Sequence, residues 1–588
     1  MMRSRYHPSR TLLGVAAFAC AGTLLTSVAG AEQREVVPGI TYEQLTVPDQ
    51  VYHIVRVRQG PLIGIRPVLT GGAPTRRAPL TSAMRSRLGD GAVIGVNGDY
   101  FNLNDAYPSG LLMTGGEIVN EPEATRAALV FGGAGRLTSA KVVLTGTWQA
   151  SDPLLPPFAE NTFIGVNRPS ENPSETIIYT PAYGDVTATG NRVDAIITMD
   201  NPAGPVVNAP LTGVVHSLHP GGGTGIGPGK LVISGIGTAG DTVLTDLVVG
   251  RRVTINFSIP GLPADTTAAI GGGPALVEKG VAITTVNEGF SSGQINTRTS
   301  RTAIGQTADG TVLLVTAEGP FQGSRGISMV EQAELMASLG AQTAVGMDGG
   351  GSAAMALRDN LVIPWASERA ITNAVVVTYA GVQLTEPALL VTPNGDGVDD
   401  ATRTTVRSSK TGTVKVTLAR ANGSTVRTLY RGTLGPSGRR ISLTPATFKG
   451  PDGHYRIIAR FTPSDGSART NHSHTMTIDR TLGFLRISKL GKGDAAKGRV
   501  GFRLDKKARV TALIKDSAGG SVRLLFRNRR LAAGNWASLW DLTSHGKRVE
   551  PGIYTVILKA QSPLGVTTLT GRIKVTKLKK PPTPDPVP

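Results

Sequence analysis

The residues best suited to chemistry sit in one short run, Met347-Asp348-Gly349-Gly350-Gly351-Ser352. A carboxylate is followed by three residues without side chains and then by a hydroxyl. Glycine permits positive φ and close approach of backbone to a ligand, so successive amides here can face a phosphate or a sugar oxygen. The run is equally well written for a hairpin turn, since Asp-Gly is a strong short turn signal. A second polar tip, Asn97-Gly98-Asp99-Tyr100-Phe101, offers donors, acceptors and rings that can stack on a sugar, or an Asn-Gly turn beside core aromatics. Glu318 and Glu368 add carboxylates. Arg301, Arg325 and Arg369 add guanidinium forks, which match phosphate geometry.

The elements that must position these groups can be read locally. Ser328-Met329-Val330-Glu331 is a capping box, so a helix starts there, and Gly340 is placed to end it in the left-handed region. Thr343 to Met347 is a short apolar strand that delivers Asp348. Val93 to Val96 is another and ends in Asn97. Val51 to Val57, Thr311 to Thr316 and Ala374 to Tyr379 also read as strands, and Gly271-Gly272-Gly273-Pro274 follows an apolar stretch. Residues 110 to 260 read as β-rich with little helix. Gly221 to Gly229 is a loop rather than a dinucleotide fingerprint, because a strand follows it where a helix is required. His216 and His219 lack a third ligand nearby and are read as surface residues.

The 588 residues suggest about three domains. Residues 1–31 have the arginines, apolar run and small-residue end of a secretory signal peptide, which implies export and no membrane span once it is removed. The single cysteine, Cys20, lies inside it, so disulfides and cysteine catalysis are excluded from the mature chain. Charge is divided: from Ala401 onward 36 Lys and Arg face 9 Asp and Glu, whereas residues 1–400 carry 25 against 33. The basic end suits an anionic cell-wall polymer, or simple solubility, without pointing to specific nucleic acid.

It is the order Asn-Gly-Asp-Tyr-Phe (97–101), Gly-Gly-Gly-Pro (271–274), Arg301, Glu318-Gly319, the capped helix, Met347 to Ser352 and Glu368-Arg369 with Asn373 that resembles the phosphodiester glycosidase family, over about Val36 to Gly381. The resemblance implies a hydrolase that removes a sugar from a sugar-1-phosphodiester, with a pocket lined by Asn97, Asp99, Gly272, Arg301, Asp348, Gly349, Gly350, Ser352, Glu368 and Arg369. Pro320 stands where the family commonly has an arginine, so Arg325 or Arg301 is expected to supply that charge. Such cleavage needs one carboxylate near the anomeric carbon and cations for the departing phosphate, which is a good leaving group. Asp348 is the preferred catalytic carboxylate, with Glu368 second and Glu318 and Asp99 as further candidates. Glycine amides at 349–351 are expected to form an anion site. A catalytically idle envelope-binding protein and a phosphodiesterase that cleaves P–O remain as alternatives.

The fold class expected is an α+β catalytic domain (32–385), β-rich with few helices, followed by two all-β immunoglobulin-like sandwiches at 388–480 and 481–577 and a Lys- and Pro-rich tail at 578–588. Patterns such as Gly453-His454-Tyr455 recur about 100 residues later as Gly552-Ile553-Tyr554. The second copy resembles the immunoglobulin-like domain of flagellar-hook capping proteins. Asn394, Asp396, Asp399 and Asp400 are oxygen ligands closely enough spaced for a structural calcium ion, or for a plain acidic turn.

Overall fold

Strands that are apolar on both faces must be covered on both faces, and this requirement sets the layering. In the computed structural model, which describes residues 32–156, 158–201, 209–490 and 496–576, Arg301–Thr307, Val312–Ala317 and Ala341–Gly346 are buried along nearly their whole length. They are the centre of an eight-stranded sheet that runs from Glu32–Val37 at one edge to Val281–Ala282 at the other. The helix Met329–Ser338 covers one face, packing Ala333 and Met336 against Ile54, Ala303, Leu313 and Ala344. The other face packs Val55, Ile304, Leu314 and Val345 onto a second, five-stranded sheet. That sheet contains Ala92–Asn97 between Met355–Leu357 and Asn373–Tyr379. Its outer face is closed by the helix Leu80–Ser86, whose Leu80 and Met84 meet Ala92, Ala356 and Val376. The order is helix, sheet, sheet, helix.

The capped helix follows its sequence signal. The Ser328 hydroxyl accepts from the Glu331 amide and the Glu331 carboxylate accepts from the Ser328 amide, while Gly340 stops the chain at φ +90°. Two helices differ from expectation. Leu80–Ser86 has no local cap, because its free Thr81 amide is taken by Glu368, 287 residues away. Ala239–Asp246 interrupts the β-rich 110–260 region, packing there at Gly240, where an added Cβ would come 3.3 Å from Val193. The glycine-rich 221–229 segment is followed by the strand Lys230–Ile236, as a loop reading requires.

The strands between Thr145 and Ser258 form another eight-stranded sheet, over a core containing Trp148, Phe163 and Phe257. Arg168 sits at its margin, 5% exposed at the side chain, paired at 2.8 Å with Glu121 and at 2.8 Å with the fully buried Glu175. The chain from Val382 to Ile478 makes two sheets around Val416, Leu418, Ile457 and Phe461. The described strands between Leu482 and Val575 make a three-stranded sheet, a four-stranded sheet and a two-stranded ribbon, with Trp540 fully buried. The change of sheets falls between Ile478 and Leu482. Residues 1–31, expected to be a signal peptide, and the 578–588 tail lie outside the described residues.

The acidic loop at 394–400 has the hydrogen bonds of the plain turn, one of the two readings its sequence allows. Asp400 accepts from the amides of Gly395 and Gly397 at 2.8 and 2.7 Å, and Asp396 accepts from those of Val398 and Phe484 at 2.9 and 2.7 Å. Asn394 accepts from the Asp396 amide and donates to the Leu482 carbonyl. Asp399 takes the left-handed conformation, and its carbonyl accepts from Thr392. These oxygens thus organise the turn and the start of the next unit. Among the described residues no group of three or more His, Cys, Asp or Glu is arranged for a metal ion.

One sheet face of the last unit carries several of its basic side chains. The register sets Arg530 opposite Arg509, Lys559 opposite Thr511, and Arg572 opposite Thr555, which in turn faces Lys515. Arg509, Arg530, Lys559 and Arg572 are exposed.

Replacing Arg168 by methionine leaves the Glu175 carboxylate buried without its cation. A loss of about 3–5 kcal/mol is expected, measured as the shift of the urea unfolding midpoint followed by tryptophan fluorescence.

Candidate active site

Antiparallel register brings strand ends from both sheets to one edge. Ala303 lies opposite Gly346 and Ala374 opposite Asn97, so two strands begin there and two end there. Asn97 fastens the sheets together. Its Nδ2 donates to the Asp348 carbonyl at 2.8 Å, and its Oδ1 accepts from the Thr302 hydroxyl at 2.6 Å and the Ala354 amide at 2.9 Å. The Asp348 amide donates to the Gly98 carbonyl at 3.0 Å, and the Met347 amide to Thr302 at 2.8 Å. Asn97 is 1% exposed and its amide group is fully used. It is a brace rather than the sugar contact expected from sequence.

Asp348 stands at the turn so formed. Its Oδ1 accepts from the Gly349 amide at 2.8 Å. Burial pushes its carboxyl up to about 6, against the pull of the Ser352 hydroxyl, the Gly349 amide and the charges of Arg369 and Arg301. It remains partly exposed. The glycine amides do not form the expected anion nest, because Gly349 donates to Asp348 and Gly350 donates to the Ser300 carbonyl at 2.8 Å. Positive charge comes from side chains instead. Arg301 is 5% exposed; its Nη2 is held by the carbonyls of Gln294 and Thr297 at 2.7 and 3.0 Å, and its Nε by Ile327 at 3.3 Å. Its Nη1 lies beside Gly349. Arg369 donates to the Ser352 hydroxyl at 3.3 Å and lies flat over Gly351, where an added Cβ would come 2.6 Å from its Nη2.

A second wall contains Asp99 and Tyr100. Both Asp99 oxygens are engaged, by the amides of Tyr100 and Gly110 at 2.7 Å each, and its own amide is held by Asn373 at 2.8 Å. Burial pushes its carboxyl up to about 7; the two amides and Arg126 oppose this, and the charge of Asp348 adds to it. Gly271 is obligatory beside it, since a Cβ there would stand 2.4 Å from Asp99 Oδ2. Gly272 packs on the Gly346 carbonyl, where a Cβ would come within 2.5 Å. Tyr100 packs on Phe290 with ring centroids 5.5 Å apart, and the Arg126 guanidinium covers both rings at 5.1 and 4.6 Å. Arg126 and Phe290 have no motif around them. Only the folded chain reveals them.

Three predicted residues turn elsewhere. Glu368 accepts from the Thr81 amide at 2.9 Å and the Thr81 hydroxyl at 2.5 Å, so it caps a helix and anchors the backbone before Arg369. Glu318 is 6% exposed and bonded to His53 at 3.0 Å and Ser324 at 3.2 Å; His53 in turn meets the Tyr42 hydroxyl at 2.8 Å. Arg325 pairs with Glu331 at 3.1 Å on the capped helix. Of the two arginines expected to compensate for Pro320, Arg301 is the one beside Asp348.

Residues 201–378 match the family model described as phosphodiester glycosidase. That span includes Gly272, Arg301, Asp348, Ser352 and Arg369, but not Asn97, Asp99 or Arg126. No curated protein matches the chain. Similar solved structures include a hypothetical protein from Synechocystis, 23% identical with TM-score 0.49, covering 60% of this chain and 64% of that one. A putative exported protein from Burkholderia pseudomallei is 20% identical with TM-score 0.45, covering 57% and 74%. The zebrafish N-acetylglucosamine-1-phosphodiester alpha-N-acetylglucosaminidase catalytic domain, auto-inhibited by its pro-peptide, is 14% identical with TM-score 0.31, covering 60% and 89%. The chain thus spans just under two thirds of the length of the first of these, 64%.

Gly351→Ala displaces only the flexible end of Arg369. Thermal unfolding is expected to change by no more than about 0.5 kcal/mol. Turnover of a sugar-1-phosphodiester is expected to fall about tenfold or more, because a misplaced cation lowers the rate steeply.

Proposed function

We propose that the chain is an exported hydrolase that cleaves the bond between a sugar's anomeric carbon and the phosphate of a sugar-1-phosphodiester. The observation that carries this is Asp348, the one of the four candidate carboxylates that is partly open while flanked by Arg301 and Arg369. The phosphodiester glycosidase match over 201–378 supports the same class of chemistry.

In this reading the phosphate lies against Arg301 Nη1, Arg369 and Arg126, and the anomeric carbon faces Asp348. Water adds to that carbon as the C–O bond to phosphate breaks. Asp348 takes the water's proton, and the electron pair leaves with the phosphate as a monoester stabilised by the arginines. Little acid assistance is needed at the leaving oxygen. Burial raises both Asp99 and Asp348, and the charge of Asp348 raises Asp99 further, so the pair favours holding one proton and presents one negative charge rather than two to the phosphate. The basic face of the last unit, around Arg509, Arg530, Lys559 and Arg572, would hold the enzyme on an anionic envelope polymer, with an attraction screened by salt. Binding to immobilised polyglycerol phosphate that is unchanged between low and high salt would contradict that part.

Asp348→Asn is expected to lower kcat by about 10²–10⁴-fold. In the native enzyme an ionised Asp348 is required, so kcat/KM should fall as pH drops through about 6. That limb is absent if Asp348 is not the base. Hydrolysis in ¹⁸O-labelled water tests the bond: label on the sugar supports C–O cleavage, label on phosphate shows a phosphodiesterase, and no turnover leaves the idle envelope-binding alternative.

A further inference from the structure

Besides taking its seat over Gly351, Arg369 lines a hollow of about 590 Å³ together with Thr75, Arg77, Leu103, Asn104 and Asp105. That is the size of a small-ligand site. The two arginines are mounted on one ribbon: Ala78 lies opposite Ile371 and Pro79 opposite Ala370, so Arg77 and Arg369 each immediately precede one of its paired segments. Arg77 is held in place. Its Nη1 donates to the Leu103 carbonyl at 3.0 Å, and its guanidinium lies 5.8 Å from the centre of the Phe101 ring. Among the described residues no carboxylate pairs with it and its Nε and Nη2 make no hydrogen bond, whereas the adjacent Arg76 pairs with Asp185 at 3.7 Å. The opposite wall is fixed as well. Asp105 accepts from the Tyr107 amide at 3.0 Å and from the Asn102 side chain at 3.1 Å, and Asn102 accepts from the Asn104 amide at 2.9 Å.

We infer that this hollow takes a second anionic group, so that the favoured substrate is a diester whose acceptor carries a further phosphate, as every link does in a chain of repeated phosphodiesters. This rests on the function proposed above, which puts the scissile phosphate on Arg369. Arg369 borders both the Asp348 turn and the hollow, so a ligand gripped there has Arg77 on the same surface. A neutral acceptor makes poor use of that residue, because a hydrogen bond between charged groups is about twice as strong as one between neutral groups and the unspent guanidinium fork matches a phosphate. Asp105 acts against an anion, but its oxygens already accept from its own turn and two guanidinium groups outnumber it. A lipid acceptor requires a continuing apolar lining. Here only Leu103, Ala106 and Ala370 are apolar.

The test is calorimetric titration of the full chain with glycerol bisphosphate, methyl phosphate and phosphoethanolamine. Arg77→Gln keeps a donor for the Leu103 carbonyl and removes the charge, so affinity for the bisphosphate is expected to fall about tenfold while that for methyl phosphate stays the same. Arg77→Lys should restore most of the loss. Circular dichroism of both variants checks that the 102–106 segment and the rest of the chain still fold. An equal loss for both phosphates, or no loss for either, overturns the proposal. So does tighter binding of phosphoethanolamine than of methyl phosphate that Asp105→Asn abolishes, since the hollow then takes a cation. These titrations need no turnover. An Arg77-dependent preference in a protein that hydrolyses no sugar-1-phosphodiester keeps the anion site and refutes the hydrolase, whereas turnover without that preference does the reverse.

Discussion

One buried carboxamide holds the site together. Asn97 lies at the end of a strand in one sheet and bonds to Thr302 and Asp348, which belong to the other, and to Ala354 on the chain returning from the turn. The bonds to Thr302 and Ala354 are buried and the one to Asp348 is partly so, and losing a buried one leaves a polar group without a partner, which costs far more than the bond's net contribution in water. Two stacked sheets have only side-chain packing to set their relative slide. Here a short polar network fixes it at the edge where the chemistry would occur. The position of Asp348 between Arg301 and Arg369 is a consequence of that registration.

The electrostatics of the cleft follow from the same packing. Strand ends that converge between two sheets lose solvent, and carboxylates placed there are pushed towards neutrality. Asp348 and Asp99 are both raised, and each feels the other, so their titrations belong to the pair. Arg301 survives in the same setting because three carbonyls accept from it. Arg126 lies over two aromatic faces, which attract its guanidinium. Anionic and cationic groups are thus stored at short range without being neutralised by direct pairing, leaving the arginines with unused donors for an anionic ligand.

What could be read in the sequence was whatever the chain decides locally. The Ser328–Glu331 box, the stop at Gly340, the buried strands and the Met347–Ser352 turn depend on neighbours a few residues away, and the structure contains each of them. What could not be read depends on distant partners. The helix Leu80–Ser86 has its cap 287 residues downstream in Glu368, so no cap appears beside it and Glu368 looks like a free catalytic acid. Arg325 looks like a phosphate ligand until the folded chain gives it Glu331. Asn394 to Asp400 resemble a cation loop because sequence shows carboxylates but not the amides pointing at them. Arg126 and Phe290 are invisible for the same reason, since what makes them part of the site is their stacking with Tyr100.

The bond between Glu368 and Thr81 bears on the thermodynamics of ligand capture. Arg369 is exposed at the rim, where a long side chain on a loose loop would surrender both backbone and rotamer freedom on gripping an anion. With residue 368 fastened to a helix by two hydrogen bonds and Gly351 providing a flat seat, most of that freedom has already been given up during folding. The enthalpy of the contact with phosphate is then less offset by ordering at the moment of binding, and a solvent-facing arginine acquires the entropy profile of a buried one.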